Sequence, residues 1–99
     1  MARRSVRTGL AGAGRRETVL MSRTALLVLS GASDRELTLW EHEELIAPVQ
    51  VADLDGGDEP LYDRGALRRI RLIRTLADEL EVNLPGIGVI LNLLDRLAG

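Results

Sequence analysis

The sequence predicts one mostly α domain of about four helices carrying a short β-hairpin, and three observations lead there. The chain has 99 residues and is 45% hydrophobic, enough for a single modest core and too little for two. Four capping residues, Ser22, Ser33, Asp63 and Asn83, each stand ahead of apolar residues that recur at three- and four-residue steps. A polar, glycine-rich stretch, Asp53-Leu-Asp-Gly-Gly-Asp-Glu-Pro60, separates two short apolar pieces and reads as the tip of a hairpin.

Residues 1–17 hold only Val6 and Leu10 among Arg, Gly, Ala, Ser and Thr, too little apolar surface to order them. They are expected to be a disordered basic tail, either an arm for nucleic acid or an over-long gene start with Met21 as the later one. The domain is expected to span 18–99. Thr18 to Met21 reads as a short strand, Ser22 as the N-cap of a helix over Arg23 to Leu29, and Gly31 as its stop. Ser33 with Glu36 has capping-box spacing, which starts a second helix expected over Asp34 to Leu45 with Leu37, Trp40 and Leu45 inward. Pro48 prevents its extension. Val49 to Val51 and Leu61-Tyr62 are the hairpin strands. Asp63 caps a third helix whose inner stripe is Leu67, Ile70, Ile73, Ala77 and Leu80. Asn83 caps a fourth, with Pro85 tolerated in its first turn and Ile87, Ile90, Leu91, Leu94 and Leu97 facing the core. Val89 and Leu93 exceed what one core face needs, so a second chain, or the N-terminal segment, is expected to cover them.

Several function classes drop out. With no cysteine there is no disulfide framework, thiolate nucleophile or Cys-based zinc site, and a reducing cytoplasm is permitted. The longest apolar run, Thr24 to Leu29, is far short of the ~20 residues that cross a bilayer, so the chain is expected to be soluble and cytoplasmic. Glu41-His-Glu-Glu44 splays around a helix and cannot converge on one ion. His42 lacks a second imidazole, and Ser22, Ser30 and Ser33 lack a matched base. Asp53 to Glu59 lacks the spacing of a calcium loop. No enzyme, metal or cofactor is expected.

The net charge of −2 hides a segregation. Residues 1–23 carry six arginines against Glu17, residues 24–60 carry nine acids against Arg35, and residues 61–99 carry six arginines against five acids. Arg68, Arg69, Arg71 and Arg74 lie off the third helix's apolar stripe, and can either grip an anion or form a solvated face with pairs such as Arg74 to Asp78. Trp40, on an inward stripe, reads as core rather than as an interface anchor.

Helix, turn, helix, wing, helix, helix is winged helix-turn-helix order, and Gly31-Ala-Ser-Asp-Arg-Glu-Leu-Thr-Leu-Trp-Glu-His-Glu-Glu-Leu-Ile-Ala-Pro48 resembles the MerR-type block G-V-S-x-x-T-L-R-Y-Y-E-x-x-G-L-L-x-P. Gly31, Ser33, Leu37, Glu41, Leu45 and Pro48 match it without a gap, and Trp40 replaces an aromatic by an aromatic. Leu61-Tyr-Asp63 resembles the end of the wing and Leu67 to Ile73 the helix beyond it. The degenerate MerR-like pattern covers about residues 20–97. Within that superfamily, Asn83-Leu-Pro-Gly-Ile87 and Leu91-Asn-Leu-Leu-Asp95 look most like the CbpM-like chaperone modulators, while HspR-type repressors carry a related element.

The resemblance to the chaperone modulators implies binding the J-domain of a DnaJ/CbpA-like co-chaperone and restraining its work with Hsp70; the alternative is a MerR/HspR-like DNA-binding regulator. Positions where a DNA reader places cations hold Thr38, His42 among Glu41, Glu43 and Glu44, and Asp58-Glu59-Pro60. Carboxylates repel phosphate and attract a basic partner, which favours the adaptor and makes DNA binding doubtful. The expected partner surface is Asp34, Glu41, Glu43, Glu44, Asp58, Glu59, Val89 and Leu93. A DNA reader would use Arg35, Arg64, Arg68 and Arg69. MerR regulators dimerise through a long final helix, for which the last helix here is short, so a homodimer stays an open expectation.

Overall fold

The computed structural model describes residues 19–54 and 57–98, so the expectations for the basic tail and for Thr18 lie outside the described residues. In chain order the elements are β1 (Met21–Ser22), α1 (Arg23–Ser30), α2 (Asp34–His42), β2 (Gln50–Leu54), β3 (Gly57–Tyr62), α3 (Arg64–Arg74), a π-helical turn (Thr75–Glu79) and α4 (Leu84–Ala98). This is a mostly α winged helix-turn-helix domain with four helices and a small antiparallel sheet.

Each helix begins where a short polar side chain accepts a hydrogen bond from a backbone N–H that has no partner within the first turn. The Ala25 amide donates to Ser22 Oγ at 3.1 Å, Ala66 to Asp63 Oδ1 at 3.1 Å, and Gly86 to Asn83 Oδ1 at 2.8 Å. At α2 the capping box is complete: Glu36 N–H donates to Ser33 Oγ and Ser33 N–H to Glu36 Oε1. Gly31, at φ 76°, closes α1 by donating from its amide to the Leu27 carbonyl.

The second helix stops at His42, short of the expected Leu45. Its end is a Schellman turn, in which Leu45 N–H donates to the Trp40 carbonyl at 2.8 Å and Glu44 N–H to Glu41 at 3.0 Å. Glu44 takes the left-handed conformation, φ 64°, that this turn requires. Leu45 therefore reaches the core from the turn rather than from the helix, together with Ile46.

The wing is larger than expected. Paired backbone runs through Asp53, Asp58, Glu59 and Pro60, with Asp53 opposite Asp58 and Val51 opposite Pro60, and only residues 55 and 56, which lie outside the described residues, separate the strands. Ladder hydrogen bonds override the weak strand preference of Asp, Glu and Gly. β1 adds to the other edge, Met21 opposite Tyr62 and Ser22 opposite Leu61, giving the order β1-β3-β2.

The core gathers Leu26, Leu37, Trp40, Tyr62, Ile70, Ile73, Ile87 and Leu91 where the wing base, the helix-turn-helix and α3–α4 meet. Trp40 is buried, as its inward stripe predicts. Two expected core stripes are corrected. After Arg74 the backbone widens into a five-residue turn, and the Leu80 amide donates to Thr75 rather than to Leu76. One extra residue in the turn rotates everything beyond it by roughly 100°. Leu76 consequently faces the core, while Ala77 and Leu80 face solvent. On α4 only Ile87 and Leu91 are fully buried, with Ile90 partly so, and Leu94 and Leu97 are exposed.

Candidate functional site

The helix-turn-helix is fastened by one arginine. Arg23, the first residue of α1, spreads its guanidinium along one face of α2, where Asp34, Thr38 and Glu41 recur at helical spacing. Its Nε donates to Asp34 Oδ1 at 2.9 Å, one Nη to Glu41 Oε1 at 2.7 Å and the other to Thr38 Oγ1 at 2.9 Å. Tyr62 joins from the wing, donating its buried phenol to the second Glu41 oxygen at 2.5 Å while accepting from Arg23 at 3.3 Å. Burial works to lower the Arg23 pKa, but the hydrogen bonds to Glu41, Asp34 and Tyr62 outweigh it and hold the guanidinium above its ordinary value. Burial and the Glu41 carboxylate together push the Tyr62 phenol up.

This network changes how α2 looks from outside. With Leu37 and Trp40 inward and Glu41 turned to Arg23, the outward line of the helix carries Arg35, Thr38, Leu39 and His42. The expectation that carboxylates have taken over this helix's outer face is corrected in part: Asp34 and Glu41 share the single charge of Arg23, and Glu43 and Glu44 stand in the turn beyond the helix. Asp34 keeps an open side, its side chain 73% exposed.

A second arginine ties the other half. Arg69, on α3, donates from Nε to the Leu45 carbonyl at 2.6 Å and forks onto Asp95 of α4 at 2.7 and 3.1 Å. Its hydrogen bond holds the exposed Asp95 carboxyl below the usual value. Expected as a phosphate ligand, Arg69 is thus committed to the chain itself. The expected pairing of Arg74 with Asp78 is also replaced: Arg74 donates to the Ser30 carbonyl at 3.2 Å, beside Gly31. Arg35, Arg64 and Arg68 are exposed and form no ion pair among the described residues.

The expected partner residues fall in four places rather than one. Asp34 and Glu41 lie under Arg23, Glu43 and Glu44 in the turn after α2, and Asp58 and Glu59 on the wing. Val89 and Leu93 form, with Leu97, an exposed stripe on the side of α4 away from Ile87 and Leu91. Around Arg69 three adjoining hollows open. One lies against the turn and the start of α3, one reaches Gly88 and Asn92 of α4, and one follows Leu72, Leu94 and Ala98. Sequence reasoning missed these hollows, because they arise from an arginine bridge between residues 24 and 26 apart. The Arg23 network had a faint signal in the spacing of Asp34, Thr38 and Glu41, obscured by grouping Arg23 with the tail arginines.

The start of α4 is built closely. A Cβ on Gly86 would come within 2.9 Å of Val82 Cγ1 and 3.1 Å of the capping Asn83 Oδ1, so a larger residue at the fourth position of the Asn-Leu-Pro-Gly element has to displace one of those side chains. Comparison with known families meets this geometry from outside: the profile described as MerR HTH family regulatory protein matches residues 23–99. The chain belongs to that family. No curated protein matches it significantly. A MerR-family regulatory domain is accordingly the frame for its helix-turn-helix and wing, and among its described residues no helix is long and apolar enough to cross a membrane.

Proposed function

We propose that this MerR-family protein is a non-catalytic adaptor that binds the basic face of a J-domain in a DnaJ/CbpA-like co-chaperone and blocks its cooperation with Hsp70. One observation carries the reading. Between Glu43 and Asp63, the stretch containing the wing, the chain holds seven carboxylates and no cation. Asp53 and Asp58 even face each other across the hairpin, a pairing that costs stability unless a cation approaches. In a winged helix the wing lies beside the phosphate backbone, where affinity depends on neutralising phosphates. This wing repels them and suits a basic protein surface, whose encounter it accelerates at low salt. The resemblance of Asn83 to Ile87 and of Leu91 to Asp95 to chaperone modulators supplies the identity of the partner.

The test is calorimetric titration of the protein with a purified J-domain, alongside retardation of duplex DNA. Glu43→Lys with Glu44→Lys is expected to weaken J-domain binding by about tenfold or more, equivalent to ~1.4 kcal/mol. Micromolar retention of DNA by the wild type at physiological salt, without J-domain binding, would overturn the adaptor.

A DNA-reading role is equally compatible with the family, and exposed Arg35, Arg64 and Arg68 favour it. Under that reading the same lysine pair strengthens DNA retention, and replacing Arg64 and Arg68 weakens it.

A further inference from the structure

The geometry points to the hollows around Arg69 as a groove that seats a basic, amphipathic helix of a partner protein. This inference rests on the adaptor reading and gives it a place, different from the wing tip and from the Val89–Leu93 stripe.

The groove runs where the turn after α2 and the first half of α3 meet α4. Its three hollows have volumes of about 320, 310 and 320 Å³ and share Arg69. Leu94 supplies exposed apolar surface at one end, while Leu45 and Leu91 lie almost wholly buried beneath the middle hollow, whose lining is mostly polar. The charge of Arg69 does not count against a basic ligand, because Asp95 and the Leu45 carbonyl consume it. What remains at one end is acidic: Glu43, Glu44 and Asp63 line it, and none is in an ion pair among the described residues. The other end holds Arg68 beside Leu72, Leu94 and Ala98. Two outer hollows that are mainly apolar, with an acidic rim at Glu43 and Glu44, match a helix that sets leucines into them and cations over those glutamates.

Glu44 gives an independent reason to regard that end as built for contact. The Schellman turn demands a left-handed residue, glycine is the unstrained choice, and the MerR-type block quoted above has glycine at this place. This chain instead holds a glutamate at φ 64°, its carboxylate exposed on the groove's rim. Strain kept at a site of contact is a recurrent mark of function, since fold stability alone would select the glycine.

The experiment measures binding of the full chain to a synthetic helical peptide with leucines at i, i+3, i+4 and i+7 and lysines on its flanks. A charge-reversed glutamate peptide is the control, and a purified J-domain is titrated in parallel. Glu44→Gly is expected to raise the melting temperature while weakening the lysine peptide about fivefold, a split that loss of folding cannot produce. Leu94→Arg, at a half-exposed site, is expected to weaken it about tenfold, and Leu93→Arg, on the opposite side of α4, to leave it within about twofold. J-domain binding that ignores Glu44→Gly and Leu94→Arg yet still falls with the Glu43→Lys and Glu44→Lys pair overturns the groove and leaves the adaptor reading standing. Absence of J-domain binding overturns both. Equal binding of the two peptides, or self-association of the chain in place of peptide binding, also overturns the groove.

Discussion

Arg23 and Arg69 do the same job in the two halves of the molecule, yet they do it with different partners. The two side chains are almost equally buried, 24% and 28% exposed, but the Arg23 guanidinium meets two carboxylates, a threonine hydroxyl and the Tyr62 phenol, and its Glu41 partner is itself only 26% exposed. Arg69 forks onto Asp95, whose side chain is 56% exposed so that water competes for the carboxylate, and only its Nε bond to the Leu45 carbonyl is part-buried. An ion pair gains strength as its surroundings dry, and so does the penalty of breaking it. The first arginine should therefore be a structural lock on α1, α2 and the wing, and the second an adjustable strut under a groove.

The comparison is broken most directly by truncation. Arg23→Ala leaves Glu41 and the Tyr62 phenol without their cation, and is expected to cost about 2 kcal/mol in urea unfolding. Equal or smaller loss than for Arg69→Ala would remove the distinction. Tyr62→Phe is expected to cost about 1 kcal/mol, since Glu41 keeps Arg23. It also sharpens the contrast through pH. Because the folded phenol titrates above its ordinary 10.0, its contribution is complete below pH 10 and disappears as pH rises through the folded value. Wild-type stability should fall on that limb more steeply than the phenylalanine variant's. Arg69→Ala has the smallest expected effect on melting temperature. Asp95 titrates below its ordinary 3.8, so its contribution is present above that pH and fades as pH falls through the folded value. The variant should lose this acid-limb dependence, read from melting curves between about pH 2 and 5.

Local signals in the sequence were the legible ones. Caps at Ser22, Ser33, Asp63 and Asn83 depend on one side chain and a neighbouring amide, and each forms as its spacing predicts. Inward stripes are legible only while the helix keeps its period, and so Ile70 and Ile73 are placed correctly but Ala77 and Leu80 are not. The charge pattern was legible as composition and misleading as surface. Whether Glu41 faces solvent depends on Arg23, eighteen residues away, and whether Arg69 is free depends on Asp95, twenty-six away. Of the candidate site, Glu43 and Glu44 could be named from the sequence, whereas the trough beside them needed α3 and α4 to be brought together.

The widened turn at Thr75 to Glu79 also sets the aim of everything that follows it. Since it accommodates one residue more than an α-helical turn, deleting a single residue there offers the backbone a regular helix while swinging Leu76 off the core and misdirecting α4. Asp95 would then leave the reach of Arg69, and the trough between them would close or splay. A one-residue change of length in this five-residue stretch is thus expected to re-point the last helix while the helix-turn-helix stays as it is.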